Sequence, residues 1–283
     1  YGFPEKEDAY INTFWPYTTP KRGNISIISQ SGTVAGQTFW HAKEMGVNIS
    51  KSISVGNERN IDMVDFLGYF KDDPHTEVIG LYIEEIKRGK EFIKQVKEIT
   101  PKKPIVAIYT GGTNAANRSI KSHTGSLSGN QKIYDAVFKD SGIIPTNSIT
   151  DFLYYLRTLS FAQKYNIFMK GNRVGIITDS GGSGSMMAKS SELYGLEVPE
   201  FSKRLKDELS ELIPFTASAN NPIDVTFDVN FQNIFYKFPK MLMKSGEVDC
   251  IIVWGLFDFD DMIEIIEKSG MVIDENLKKW FSC

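Results

Sequence analysis

Three segments rich in glycine and hydroxyl groups carry the residues best suited to chemistry. The first, SQSGT at 29–33, follows an apolar run and opens a helix-length amphipathic stretch. Amides in the first helical turn have no intrahelical partner, and the aligned peptide dipoles place about half a positive charge there. Glycine lets the backbone approach an anion, and Ser31 and Thr33 add hydroxyl donors, so Ser31, Gly32 and Thr33 form a candidate phosphate turn. An ordinary serine N-cap explains the same residues. The second segment, DSGGSGS at 179–185, repeats the setting with Gly181, Gly182, Ser183 and Gly184. It reads either as an anion turn or as a tight helix–strand contact. Neither segment is a P-loop or a complete dinucleotide fingerprint.

The third segment is SHTGSLSG at 122–129, predicted as a loop between a strand ending near Thr110 and a helix starting near Asn130. In open parallel sheets such loops host ligands. His123 stands there among groups suited to an oxyanion, Gly125 included. Of the other two histidines, His41 falls in a helix pattern and His75 in a polar turn. His123 has a catalytic and a purely structural reading. Glu84 ends the run EVIGLYIE and points to the same predicted rim, where it could accept a ring N–H of His123 or simply be solvated beside Glu85. GNERNID (56–62) and ANNPIDVT (219–226) read as pocket linings or plain connections.

The elements that must position these residues alternate in type. Strand runs at 24–29, 49–55, 77–83, 104–110 and 142–146 alternate with helical patterns near 34–45, 61–71, 89–99 and 130–140. That alternation implies βαβ units and parallel sheets, an α/β fold. Residues 148–165 read as a connecting helix. A second α/β half follows, with strands at 174–179 and 248–257 and helices near 184–194, 202–212, 231–244 and 260–269. The expected domains are therefore 21–147 and 172–283, joined by 148–171 and preceded by an extended segment, 1–20.

Length and composition fit two globular domains: 283 residues, 41% hydrophobic, 24% charged, net charge −3. The absence of a basic tract argues against nucleic acid, and no run approaches the ~20 apolar residues of a membrane helix. Two cysteines, Cys250 and Cys283, make neither a disulfide framework nor a metal set, so a reducing cytoplasm is expected; Cys250 reads as a core residue. The chain opens on Tyr1 and closes on KKWFSC, so both ends read as cuts in a longer polypeptide.

SQSGT, GNERNIDMVDFLGYF, LYIEEI, SHTGSLSG, TDSGGSG and NPIDVT resemble, in this order, the ADP-forming acyl-CoA synthetases of the succinyl-CoA synthetase superfamily, from about Ile11 onward. The resemblance implies two flavodoxin-like CoA-ligase domains. It implies an acid–thiol ligase, with CoA and ADP/ATP as substrates, that phosphorylates His123, with Glu84 holding the imidazole. It further implies that the helix starts at Ser31–Thr33 and Gly181–Gly184 face the phosphoryl group. Glu85 and Asp179 depart from the family pattern. The resemblance also implies absent parts: a CoA-binding Rossmann-like domain, of which 1–20 would be the tail, and an ATP-grasp domain or subunit carrying Mg2+. The expected partners are these parts, a small carboxylic acid and further copies in an oligomer. The fragment alone is expected to be inactive. Two rivals are a non-catalytic module of the same fold that senses acyl-CoA, against which the intact histidine argues, and a flavodoxin-like FMN binder.

Overall fold

The computed structural model describes residues 11–13, 21–124, 129–226, 230, 232–254 and 268, and for residues 119–121, 123 and 124 the backbone alone. The expected segment 1–20 and the helix near 260–269 fall almost wholly outside the described residues. The chain divides into two compact units, Tyr1–Phe168 and Met169–Cys283.

In the first unit, five strands, β1 (Arg22–Ser29), β2 (Ile49–Ser54), β3 (Val78–Ile83), β4 (Ile105–Tyr109) and β5 (Ile144–Thr146), form one parallel sheet in the order β2-β1-β3-β4-β5. This is the flavodoxin-like order, whose switch point lies between β1 and β3. Parallel strands covered on both faces need apolar residues on both, and β1 and β3 are buried along most of their length.

One face is closed by α2 (Met63–Asp72), α3 (Gly89–Ile99) and α5 (Gln131–Ser141), through Leu67, Phe70, Phe92, Val96 and Phe138. The other is closed by α1 (Gly32–Glu44) and α6 (Ile149–Tyr165), through Phe39, Phe152, Leu153 and Leu156. The predicted connecting helix is thus α6, and its apolar face is part of the first unit's core. Its close approach needs Gly80 on β3, where an added Cβ would stand 2.6 Å from Phe152 Cζ. Local chemistry fixes the helix starts: Asp62 and Asp65 form a reciprocal capping box on α2, and the Asn130 and Ser148 side chains accept first-turn amides of α5 and α6.

An additional helix, α4 (Asn114–Thr124), lies where only a loop was expected, and it contains Ser122, His123 and Thr124. Its sequence, NAANRSIKSHT, has no apolar stripe to betray it. Its start is organised by polar groups instead. The Gly112 amide donates to Asn117 Oδ1 at 3.0 Å, and the Ala116 amide to Thr113 Oγ1 at 3.2 Å.

In the second unit, β6 (Val174–Thr178) lies between β7 (Ile223–Asp224) and β8 (Cys250–Trp254), all parallel. α7 (Gly181–Leu193) follows β6 directly. α8 (Lys203–Ser210), a π-helical turn at Asn233–Lys237 and α9 (Phe238–Ser245) close a core around Ile177, Leu205, Ile223, Ile234 and Phe238. The strand β7 lies inside ANNPIDVT, which the sequence presented as a pocket lining or a plain connection. β8 is half-buried, so Cys250 is not the core residue expected. Among the described residues no helix is long and apolar enough to cross a membrane.

Candidate functional site

Within the first unit the turns that carry Ser31 and Glu84 lie at the carboxyl ends of neighbouring strands. β1 ends at Ser29, which pairs with Tyr82, so the turn at Gln30–Thr33 and the turn at Glu84–Ile86 leave the sheet side by side at the switch point. Ser29 Oγ donates to the Ser31 carbonyl at 2.7 Å and accepts the Ser31 amide at 3.1 Å. Ser31 is the N-cap of α1, its hydroxyl accepting the Val34 amide at 3.3 Å. The first intrahelical bond runs from the Ala35 amide to the Ser31 carbonyl at 3.0 Å. The amides of Gly32 and Thr33, both exposed, therefore precede the helical ladder.

Glu84 is half-buried. Its backbone is held by a residue that sequence reasoning passed over. Gln30 Oε1 accepts the Glu84 amide at 2.6 Å and the Glu85 amide at 3.0 Å, while Gln30 Nε2 donates to the Glu85 carbonyl at 2.7 Å. Its signal in the sequence was a long amide side chain between two serines directly after a buried strand.

Two further residues were missed, Tyr109 and Tyr134. Their rings stack at 3.6 Å, 10° from parallel. The Tyr134 hydroxyl accepts the Ile86 amide at 3.1 Å, and burial pushes its pKa up to about 12. The Tyr109 hydroxyl donates to the Gly129 carbonyl at 2.8 Å. Gly129 lies flat against Tyr134, where an added Cβ would stand 2.8 Å from the ring. Gly112, with φ +91°, lies against Gln131, whose Oε1 would be 2.3 Å from an added Cβ. Gly112 and Gly129 are therefore both held at the carboxyl end of β4, and α4 begins an excursion between them.

His123 lies in that excursion, in the last turn of α4 rather than in a loop. Gly125 lies outside the described residues. Of the other two histidines, His41 is exposed on α1 beside Glu44, as expected, whereas His75 is in the expected turn but partly buried and not fully solvated.

The neighbouring GNERNID loop is built for structure. Asp62 caps α2 and pairs with Arg88, whose Nε donates to Oδ2 at 2.6 Å; this guanidinium holds the carboxyl below the usual range. Glu58 accepts the Met63 amide at 3.0 Å, and burial raises its pKa.

The second unit repeats the first turn atom for atom. Thr178 Oγ1 donates to the Ser180 carbonyl at 3.1 Å and accepts the Ser180 amide at 3.2 Å, as Ser29 does with Ser31. The two turns then diverge, since Ser180 makes no side-chain cap bond to α7. Gly181 and Gly182 are exposed at the helix start and Ser183 is half-buried. Gly184 is buried, with Thr178 and Pro222 atoms 3.0 and 3.1 Å from an added Cβ, so its role there is close packing. Gly181 gives room to the Asp224 carboxylate, 2.9 Å from an added Cβ. That resident anion is well placed beside a helix N-terminus and competes there with any other. Among the described residues no group of three or more histidine, cysteine or carboxylate side chains could hold a metal ion.

Residues 22–159 match the model of the succinyl-CoA ligase-like flavodoxin domain. The chain is 36% identical over 235 residues to the alpha subunit of acetate–CoA ligase [ADP-forming] II of Pyrococcus furiosus, covering 83% of this chain and 50% of the relative. It is 36% identical over 218 residues to acetate–CoA ligase [ADP-forming] of Methanocaldococcus jannaschii, covering 77% and 30%. Among solved structures it resembles the dinucleotide-forming acetyl-coenzyme A synthetase 1 of Ca. Korarchaeum cryptofilum in complex with phosphate and ADP, with a TM-score of 0.75 and 30% identity over 88% of this chain and 55% of that one. The chain thus spans about half, or less, of the length of these relatives. The switch-point turn, the matched domain and the shared fold agree: residues 22–159 belong to the succinyl-CoA ligase-like flavodoxin domain family, and the chain resembles the ADP-forming acetate–CoA ligases over most of its own length.

Proposed function

We propose that this chain is the CoA-ligase core of an acid–thiol ligase that interconverts acyl-CoA, ADP and phosphate with a carboxylic acid, CoA and ATP, with His123 as the phosphoryl carrier. Phosphate attacks the thioester carbonyl and thiolate leaves, giving an acyl phosphate and CoA. A ring nitrogen of His123 then attacks phosphorus, breaking the P–O bond to the acyl group and releasing the carboxylate. The phosphohistidine finally passes its phosphoryl group to ADP. Dividing one transfer into two lower barriers is the logic of a covalent intermediate.

The observation that carries this reading is that Gly112 and Gly129, on either side of α4, are held at the carboxyl end of β4, beside the Glu84 turn and the start of α1. In this reading Glu84 accepts the ring N–H of His123 and fixes its tautomer. The C-terminal end of α4 carries partial negative charge and disfavours an anionic phosphoimidazole, so a helix N-terminus must offset it. The Gly32 and Thr33 amides and the Ser31 hydroxyl take that role. Binding of CoA and of the nucleotide with its Mg2+ belongs to a CoA-binding domain and an ATP-grasp domain or subunit; without them this chain does not turn over.

Full-length protein incubated with labelled ATP and Mg2+ should acquire acid-labile, base-stable label, and His123→Ala should abolish it. Label persisting in that variant would sink the assignment. Acyl-CoA binding without acyl-CoA-dependent ATP formation would instead identify a sensor.

A further inference from the structure

The position of Glu84 depends on a side chain that the chemistry above does not use. β1 stops pairing at Ser29, because the chain turns there into α1. On β3 the backbone continues, and the amides and carbonyl of Glu84 and Glu85 lose the strand that would have bonded them. Gln30 replaces it. Its amide donates to the Tyr82 carbonyl at 3.2 Å, the last main-chain bond of the ladder. Its carboxamide then takes both amides through Oε1, at 2.6 and 3.0 Å, and the Glu85 carbonyl through Nε2, at 2.7 Å. A carboxamide has the same planar donor and acceptor as a peptide, so the side chain extends the sheet by one more rung. The residue is 7% exposed, and water would compete poorly for these bonds.

We propose that Gln30 is a positioning residue: it fixes the Glu84 backbone against the start of α1, so that the carboxylate meets His123 in one orientation while the α1 amides meet the phosphoryl group. The role rests on the phosphohistidine reading. Methionine at position 30 keeps the shape and removes every side-chain bond. Glutamate keeps the acceptor and loses the donor.

The test uses full-length protein, labelled ATP with Mg2+, and the variants Gln30→Met, Gln30→Glu, Glu84→Ala and the Gln30→Met/Glu84→Ala double. Gln30→Met should slow incorporation of acid-labile label by about 10- to 100-fold, the penalty of a small misplacement, with the half-saturating ATP concentration unchanged. Gln30→Glu should not recover the rate, because its carboxylate would face the Glu85 carbonyl and the Glu58 carboxylate that the Gln30 amide bonds. The double variant should be no slower than Glu84→Ala alone, because both substitutions remove one function. Hydrogen exchange at the Glu84 and Glu85 amides should quicken in Gln30→Met, which reports the lost clamp without reference to activity. Wild-type labelling with an unchanged Gln30→Met rate, or fully additive losses in the double variant, would overturn the role of Gln30 alone. No label in the wild type would overturn the phosphohistidine reading and this role with it.

Discussion

Single side chains decide how the rim of the first sheet is held, and Tyr134 shows how strongly. A free tyrosine ionises near about pH 10, whereas burial pushes Tyr134 up to about 12. Between those values the unfolded chain has lost a proton that the folded chain keeps, so stability falls as pH rises from about 10 toward about 12. Urea unfolding at about pH 9 and about pH 11 should show this fall in the wild type and a shallower one in Tyr134→Phe. At neutral pH the same variant should lose about 1 kcal/mol, because the Ile86 amide loses its acceptor. An equal slope in both proteins would show that other groups carry the pH dependence. The sequence displayed Ser31, Glu84 and His123 because hydroxyl, carboxylate and imidazole advertise chemistry by type. It hid Gln30, Tyr109 and Tyr134, whose contributions are hydrogen bonds across 20 to 55 residues of chain.

Helices and strands were legible to the extent that they carry apolar periodicity. The strands of the first sheet and the helices α1, α2, α3 and α5 announce themselves because each buries one apolar face. α4 does not, since its sequence carries no comparable apolar stripe, and its polar start is settled by Thr113 and Asn117. α6 was visible as a helix, but its partner was not. What sets that partner is an absence of side chain, the glycine at position 80 that admits Phe152. Gly80→Ala should therefore destabilise the first unit by about 1–3 kcal/mol, read as a lower urea midpoint with an unchanged slope. Adding Phe152→Leu should return part of that loss, because the smaller side chain can retreat from the new methyl.

At the scale of the molecule, the first unit closes its own core among the described residues. Its sheet has helices on both faces, and both core clusters draw on residues of that unit alone. A fragment of residues 21–168 should fold without the rest and unfold in one cooperative urea transition. Gradual loss of signal would show that the unit needs partners to be stable. Its rim holds the Glu84 turn beside the start of α1. The chain aligns with about half, or less, of the length of these relatives.

The hydroxyl bracket at the start of each unit has a bearing on ancestry and redesign. Ser29 and Thr178 occupy equivalent places, two residues before the helix cap, and each grips the carbonyl and the amide of a serine. One uses a methyl-bearing alcohol and the other a plain one, so the shared requirement is the oxygen and not the carbon skeleton around it. If the two halves descend from a doubled ancestor, that oxygen is a fixed point through which both copies drifted. A library that randomises either turn would do well to leave it in place.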